Sequence, residues 1–314
     1  MLLRTPSDSA FGTSELHLRD DPRWGCENCV VLRRTRRAEL GLCAHTLSIR
    51  AVWDGTEVCH VGGRDIGIDD DNFLVLNHGR IYSTSIRALH PVESLSIWFR
   101  PGLAESACAA MAVSLQQALS DGDTIVGVEP QFSENLQPHD SCVTPVLQFI
   151  RRNALQGVDD EAWYEEQLHF LLERMQRHRQ RLLAQVDELR LGRATTRREV
   201  FRRIGYATDF IHTNYARAID LDQMARVACL SKYHFLRLFA LVHGVTPFSY
   251  LQRKRARVAL RLLRTTAYTV ADVACSVGFA ERTTLLRQIQ RWTGLRLLQI
   301  RAGNLANLKG ASHA

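Results

Sequence analysis

Long hydrophobic runs are missing from this 314-residue sequence. No stretch approaches the roughly 18 consecutive apolar residues of a membrane helix, which argues against a spanning protein. The opening segment MLLRTPSDSAFGTSELHLRDD has no continuous apolar core and turns acidic, so a cleaved secretion signal is not expected. Glycine (19) and proline (8) are too sparse for a collagen-like or low-complexity chain. Eight cysteines are too few for a disulfide scaffold of this length and are read as reduced thiols in a cytoplasm. His45, His60, His78 and His90 stand isolated, and no H-x-H pair lies near a carboxylate in 1–130. A catalytic metal with open positions needs such a cluster. No phosphate-binding loop, dinucleotide fingerprint or Ser/His/Asp arrangement can be placed either. The chain is therefore expected to be a non-enzyme, with no catalytic residue, no cofactor and no metal site assigned.

What is present is globular: 46% of residues are hydrophobic and 23% charged, enough for two domains with real cores. The net charge of +7 conceals a split. Residues 1–192 carry a net −8, and residues 193–314 a net +15. An acidic front joined to a strongly basic back is the charge footprint of a protein whose tail sits on nucleic acid.

The front part reads as β-structure. Residues 45–53 alternate apolar and polar until the turn dipeptide Asp54-Gly55, and Glu57 to Val61 follow as a short strand closed by Gly62-Gly63. Phe73–Leu76, Arg80–Ile86 and Leu95–Phe99 continue the series, with turns at Asn77-His78-Gly79 and Pro101-Gly102. Short strands at regular spacing predict an all-β barrel or jelly roll. Helical patterning then takes over across Ala104–Leu119, Pro145–Leu155 and Asp159–Leu191. The last of these carries Trp163, Leu168, Leu171, Leu172, Met175, Leu182 and Leu189, an apolar stripe that must pack on the barrel or on another subunit.

The back half holds two units of one kind. Asp220, with Gln223 three residues on, caps a helix over Leu221–Cys229, and Ser231 caps a second from Lys232 to His243, stopped by Gly244. Thr269, with Asp272 three residues on, caps Val270–Val277. Gly278 and Phe279 make the turn, and a helix over 281–293 ends at Gly294. Helix, tight turn, second helix is the plan in which the second helix enters the DNA major groove. Between the units, Thr246-Pro247 starts a connector carrying Gln252, Arg253, Lys254, Arg255, Arg257, Arg261 and Arg264 around Tyr250, Leu251, Val258, Leu262 and Leu263. A rigid connector lets both second helices reach major-groove segments ~34 Å apart on one face of the DNA.

The segments LDQMARVACLSKYHFLRLFALVHGVTPFSYLQRKRARVALRLL and YTVADVACSVGFAERTTLLRQIQRWTG bring residues 196–304 to a known pattern. This region resembles the DNA-binding part of the AraC/XylS transcription regulators. The resemblance implies that Tyr233, Leu236 and Arg237 face DNA from the first unit, and Arg282, Thr283 and Arg287 from the second. The arginines can each make a bidentate pair with guanine or clamp a phosphate, and Leu236 and Thr283 can touch a thymine methyl. Phe235, Leu238, Phe239, Leu285, Leu286 and Ile289 are expected in the core. Two departures stand out. The F-x-R-x-F-K pattern becomes Leu285-Leu286-Arg287-Gln288-Ile289-Gln290, and a T-P-x-x-Y-R-like segment becomes Leu295–Arg301, whose lost proline predicts a different start for the last helix.

The front is similar, less specifically, to the cupin-type effector barrels of such regulators through DNFLVLNHGRIYSTSI and VESLSIWFRPGLAE. The expected architecture is α+β: a cupin-like sensing domain over 1–130, a helical linker and dimerisation region over 131–192, and an all-α tandem helix-turn-helix domain over 193–314. The expected function is a cytoplasmic, sequence-specific transcription regulator, in the first instance an activator. Its expected partners are double-stranded DNA, a small organic effector, RNA polymerase and a second copy, with no membrane. A rival has Cys26 and Cys29, a C-x-x-C pair, sensing thiol chemistry or a metal. A cupin-type metalloenzyme fused to a DNA-binding domain is the remaining alternative.

Overall fold

The computed structural model describes residues 2–5, 25–109, 131–189 and 191–300. The chain divides into two compact units, Met1–Arg202 and Arg203–Ala314. It is a mixed α and β structure, with a curled, mainly antiparallel sheet in the first unit and helices in the second.

Among the described residues the sheet has eight strands: β1 (Leu2–Thr5), β2 (Cys29–Ala44), β3 (Ser48–Trp53), β4 (Thr56–Val61), β5 (Arg64–Asp69), β6 (Asn72–Leu76), β7 (Ile81–Trp98) and β8 (Gln137–Pro138). Strand β7 is its spine. One edge of β7 pairs with β2, while the other pairs first with β4 and then with β3. The two segments that alternation marks, Arg80–Ile86 and Leu95–Phe99, are thus halves of one strand. Pro91 lies between the two stretches of paired residues, where the β2 register also shifts between Thr35 and Arg37. Proline donates no ladder hydrogen bond and is tolerated at such an irregularity, which bends the strand.

Period-two alternation gives the sheet two apolar faces. Val30, Leu32, Ile49, Ala51, Phe73, Val75, Leu95 and Ile97 lie on one, covered by α1 (Thr144–Gln156) and α2 (Glu161–Asp187). Val31, Val52, Leu74, Leu76 and Trp98 lie on the other with Cys59, Ile66, Ile68 and Tyr82. Asp160 caps α2 by accepting from the Trp163 amide at 3.2 Å. The apolar stripe of α2, with Leu168, Leu171, Leu172 and Met175, is buried against the sheet and α1. Its partner is therefore within the chain. Residues 103–109 are helical, and the rest of the expected Ala104–Leu119 helix lies outside the described residues.

Helix α3 (Ala194–Asn214) leads into α4 (Leu221–Val227), α5 (Lys232–His243), α6 (Pro247–Thr265), α7 (Val270–Ser276) and α8 (Arg282–Thr293). The capping boxes at Asp220/Gln223 and Thr269/Asp272 are both formed. Ser231 caps α5, and Thr246 caps α6 with Pro247 in its first turn. Gly244 and Gly294 end α5 and α8 in the left-handed region. The helix after α8 corrects one expectation. Residues 297–300 are helical without a Thr-Pro start, because the Gln299 side chain accepts from the Arg296 amide at 2.8 Å and Ile300 anchors in the core.

Candidate nucleic-acid interface

Each helix pair closes on its own core. In the first, Met224, Ala225 and Ala228 are buried, as are Phe235, Leu238 and Phe239. Val273, Ala274 and Val277 of the second meet Phe279, Leu285 and Ile289. The two turns use the same bonds: the Leu230 amide donates to Ala225 and the Phe279 amide to Ala274. The residue before each adopts positive φ, +51° at Cys229 and +84° at Gly278. The second turn is one residue longer, so Ser231 corresponds to Glu281, and Arg237 to Arg287.

Burial of Phe235, Leu238 and Phe239 turns the opposite face of α5 outward. Tyr233 is 76% exposed, Leu236 is 38% exposed, and Arg237 lies beside them in solvent. On α8, burial of Leu285 and Ile289 does the same for Arg282, Thr283 and Arg287, all exposed. The six expected site residues therefore sit on outward faces, three on each second helix. Arg237, Arg282 and Arg287 make no ion pair among the described residues. Lys232, at the start of α5, instead pairs with Asp222 at 2.6 Å. The Thr283 hydroxyl donates to Glu281 at 3.1 Å.

The connector α6 is 19 residues long, about 28 Å at 1.5 Å per residue. Its basic residues do not share one environment. Arg253, Arg257 and Arg264 are exposed, whereas Gln252, Lys254 and Arg255 are buried. Composition alone could not have separated them, but the helical period places Lys254, Arg255, Val258 and Leu262 near one face. A buried polar group also ties α6 to α3 and α5. The Thr208 hydroxyl meets His243 at 2.9 Å, and His212 meets the Tyr250 hydroxyl at 3.0 Å. Burial lowers the His243 imidazole to about 4, so it is neutral at physiological pH.

The first unit carries a charged group inside its curled sheet. Arg50 is fully buried and donates from Nη1 to Glu57 at 2.6 Å and to Ser96 at 3.0 Å, with its guanidinium near the faces of Tyr82 and Trp98. Among the described residues, its Nε and Nη2 have no hydrogen-bond partner. Burial pushes the Glu57 carboxyl up, but Arg50 and Arg33 outweigh it and hold the group below its ordinary value. Burial also brings the Arg33 guanidinium down to about 10. Alternation in β3 did not reveal Arg50 as an interior charge. Cys26 is exposed and Cys29 is buried in the sheet, so the C-x-x-C pair is divided between solvent and core. Burial raises the Cys59 thiol to about 12, which suppresses thiolate chemistry. No cluster of three or more metal-ligating side chains occurs among the described residues, and no helix among them is long and apolar enough to cross a membrane.

A family model described as a helix-turn-helix domain matches residues 224–303. The chain is 29% identical over 87 residues to the bifunctional transcriptional activator/DNA repair enzyme AdaA of Bacillus subtilis, covering 28% of this chain and 41% of that protein. It is 30% identical over 81 residues to the HTH-type transcriptional regulator AlkR of Acinetobacter baylyi, covering 26% of each. The match thus spans less than half the length of either relative. Among solved structures, the DNA-binding domain of AdpA in complex with a target DNA aligns at 27% identity, over 33% of this chain and 94% of that one, with a TM-score of 0.32. Over residues 224–303, the second unit carries a helix-turn-helix domain of the AraC/XylS type.

Proposed function

We propose that this protein is a sequence-specific DNA-binding transcription regulator, acting as an activator in the cytoplasm, and not an enzyme. The observation that carries this is the pair of second helices, α5 and α8, each with a buried apolar face and an outward face bearing arginines that make no ion pair among the described residues. Tyr233, Leu236, Arg237, Arg282, Thr283 and Arg287 are the residues proposed to meet DNA. Double-stranded DNA is the main partner, and RNA polymerase the second. The first unit, as a cupin-like sensor, takes a small organic effector. The polar interior around Arg50 supports that role, because apolar packing would serve stability alone as well or better. Exposed Phe149, Leu155 and Phe170 on α1 and α2 support self-association as a homodimer.

The test is selection of duplexes from a random pool by the full chain, followed by titration in rising salt. A defined sequence should emerge. Its affinity should fall by about 10³-fold or more between 50 and 200 mM salt if some 6–10 phosphates are neutralised. No enrichment, or binding indifferent to salt, would overturn the proposal.

A further inference from the structure

Arg255 stands out on the connector because it faces the protein. Its Nε donates to the Tyr215 carbonyl at 2.7 Å and its Nη2 to the Arg217 carbonyl at 2.7 Å. Those carbonyls belong to the short segment between α3 and the Asp220 cap of α4, the lead-in to the first helix-turn-helix. The same segment touches the second. A Cβ on Gly278, in the turn between α7 and α8, would lie 2.7 Å from the Ala216 carbonyl oxygen and 3.0 Å from Arg255 Nη2. Tyr215 also packs against the second core, with the Lys254 ammonium 5.6 Å from its ring centre. Connector, lead-in of the first unit and turn of the second thus meet at one point.

We propose that Arg255 is a positioning residue that fixes the two helix-turn-helix units in one relative geometry, and thereby sets the half-site spacing the protein accepts on DNA. The proposal rests on the DNA-binding function given above. Its physical basis is the fork of the guanidinium, which reaches two carbonyls two residues apart, a geometry that a single ammonium does not reproduce. No carboxylate pairs with Arg255 among the described residues, so two backbone carbonyls hold a buried cation that loses water to be there. Helix α6 joins the units covalently, packs in the core of the second and is tied to α3 through Tyr250. The clamp on residues 215–217 adds the contact that pins the lead-in of the first unit to the turn of the second.

The experiment uses the full chain and the duplex it selects, together with duplexes in which one base pair is inserted or removed between the two half-sites. The wild type should lose at least about 30-fold on either spacing variant, since each base pair both shifts and rotates the second groove segment. Arg255→Ala should bind the selected duplex about 10-fold or more weakly, through a lowered effective concentration of the second unit. Its penalty for altered spacing should shrink to about threefold or less, with binding to a single half-site unchanged. Arg255→Lys should behave like the alanine variant. Arg253→Ala, at an exposed connector position, should weaken all duplexes alike and keep the full spacing penalty. If Arg255→Ala proves unfolded by circular dichroism, Gly278→Ala disturbs the same junction from the other side and should also relax spacing. Retention of the full spacing penalty in the folded variant, or its restoration by lysine, overturns the proposal. Failure of the wild type to select any duplex would instead overturn the DNA-binding function and this inference with it.

Discussion

Gly278 and Cys229 occupy the same step of two equivalent turns, so substituting each gives opposite expected signs. At Gly278 φ is +84° and an added Cβ would meet the Ala216 carbonyl oxygen at 2.7 Å. The left-handed conformation costs a residue with a Cβ about 1–2 kcal/mol, and crowding a methyl against backbone adds about 1–3 kcal/mol. Reduced freedom of the unfolded chain returns about 0.4–1 kcal/mol. Gly278→Ala should therefore cost the second helix pair about 2–4 kcal/mol. Cys229 already bears the left-handed cost at φ +51°. Cys229→Gly relieves it, less the greater freedom of unfolded glycine, for a net gain of up to about 1 kcal/mol. Hydrogen–deuterium exchange of the intact chain reads the two turns separately. Amides of α7 and α8 should exchange on the order of 30- to 1000-fold faster in Gly278→Ala, while those of α4 and α5 slow by up to about fivefold in Cys229→Gly. Unchanged protection of α7 and α8 in Gly278→Ala would refute the close approach of this turn to residues 215–217 as the reason for glycine.

Arg237→Ala and Arg282→Ala should each lose about 1–3 kcal/mol on the selected duplex and relax specificity at one position, with additive effects and the smaller loss at Arg282. Titration against single-base variants checks this, and a uniform loss across all variants from Arg237→Ala would make that arginine a backbone clamp. Glu57 is held below its ordinary carboxyl value of 4.5, so its contribution is present above that pH and is lost as pH falls through the lower folded value. Glu57→Gln should cost about 3–5 kcal/mol at neutral pH and flatten the acid limb of urea unfolding, because it leaves Arg50 buried without its charge partner. For His243, folded near 4 against 6.5 ordinarily, the unfolded chain binds the extra proton between those values. Stability of the second unit should therefore decline as pH falls from about 6.5 towards 4, and His243→Gln should remove that slope in unfolding curves measured across the window.

The helical half was legible because its signals are local. Asp220 with Gln223, Thr269 with Asp272, and Thr246-Pro247 mark helix starts within four residues, and each cap is formed. The sheet depends on distant partners, and there the sequence says less. Strand β2 runs through Arg33-Arg34-Thr35-Arg36-Arg37, where apolar alternation fails, yet it pairs along β7 and buries Arg33. Strand β7 reads as two because Pro91 interrupts the pattern, although one bent strand continues past the bulge. The stripe on α2 shows that the helix must be covered but not by what. Its Leu168 and Leu171 meet the sheet, and the apolar residues left outside, Phe149 and Phe170, are not on that stripe.

Charge shows the same limit, and it bears on how the basic half would engage DNA on the proposed function. A net +15 over residues 193–314 counts every cation equally, but only exposed cations not already paired release counterions on binding. Lys254 and Arg255 are buried, Lys232 is paired with Asp222, and Arg202 is paired with Glu199. The number of phosphates neutralised should therefore be smaller than the charge suggests, and the salt slope correspondingly shallower. Removing Arg255 should leave that slope unchanged while altering spacing, whereas removing the exposed Arg253 should lower it by about one and leave spacing alone. On the proposed function, Arg253 and Arg255, two positions apart on one helix, serve different ends, one holding phosphate and the other holding protein, and the direction each side chain faces decides which.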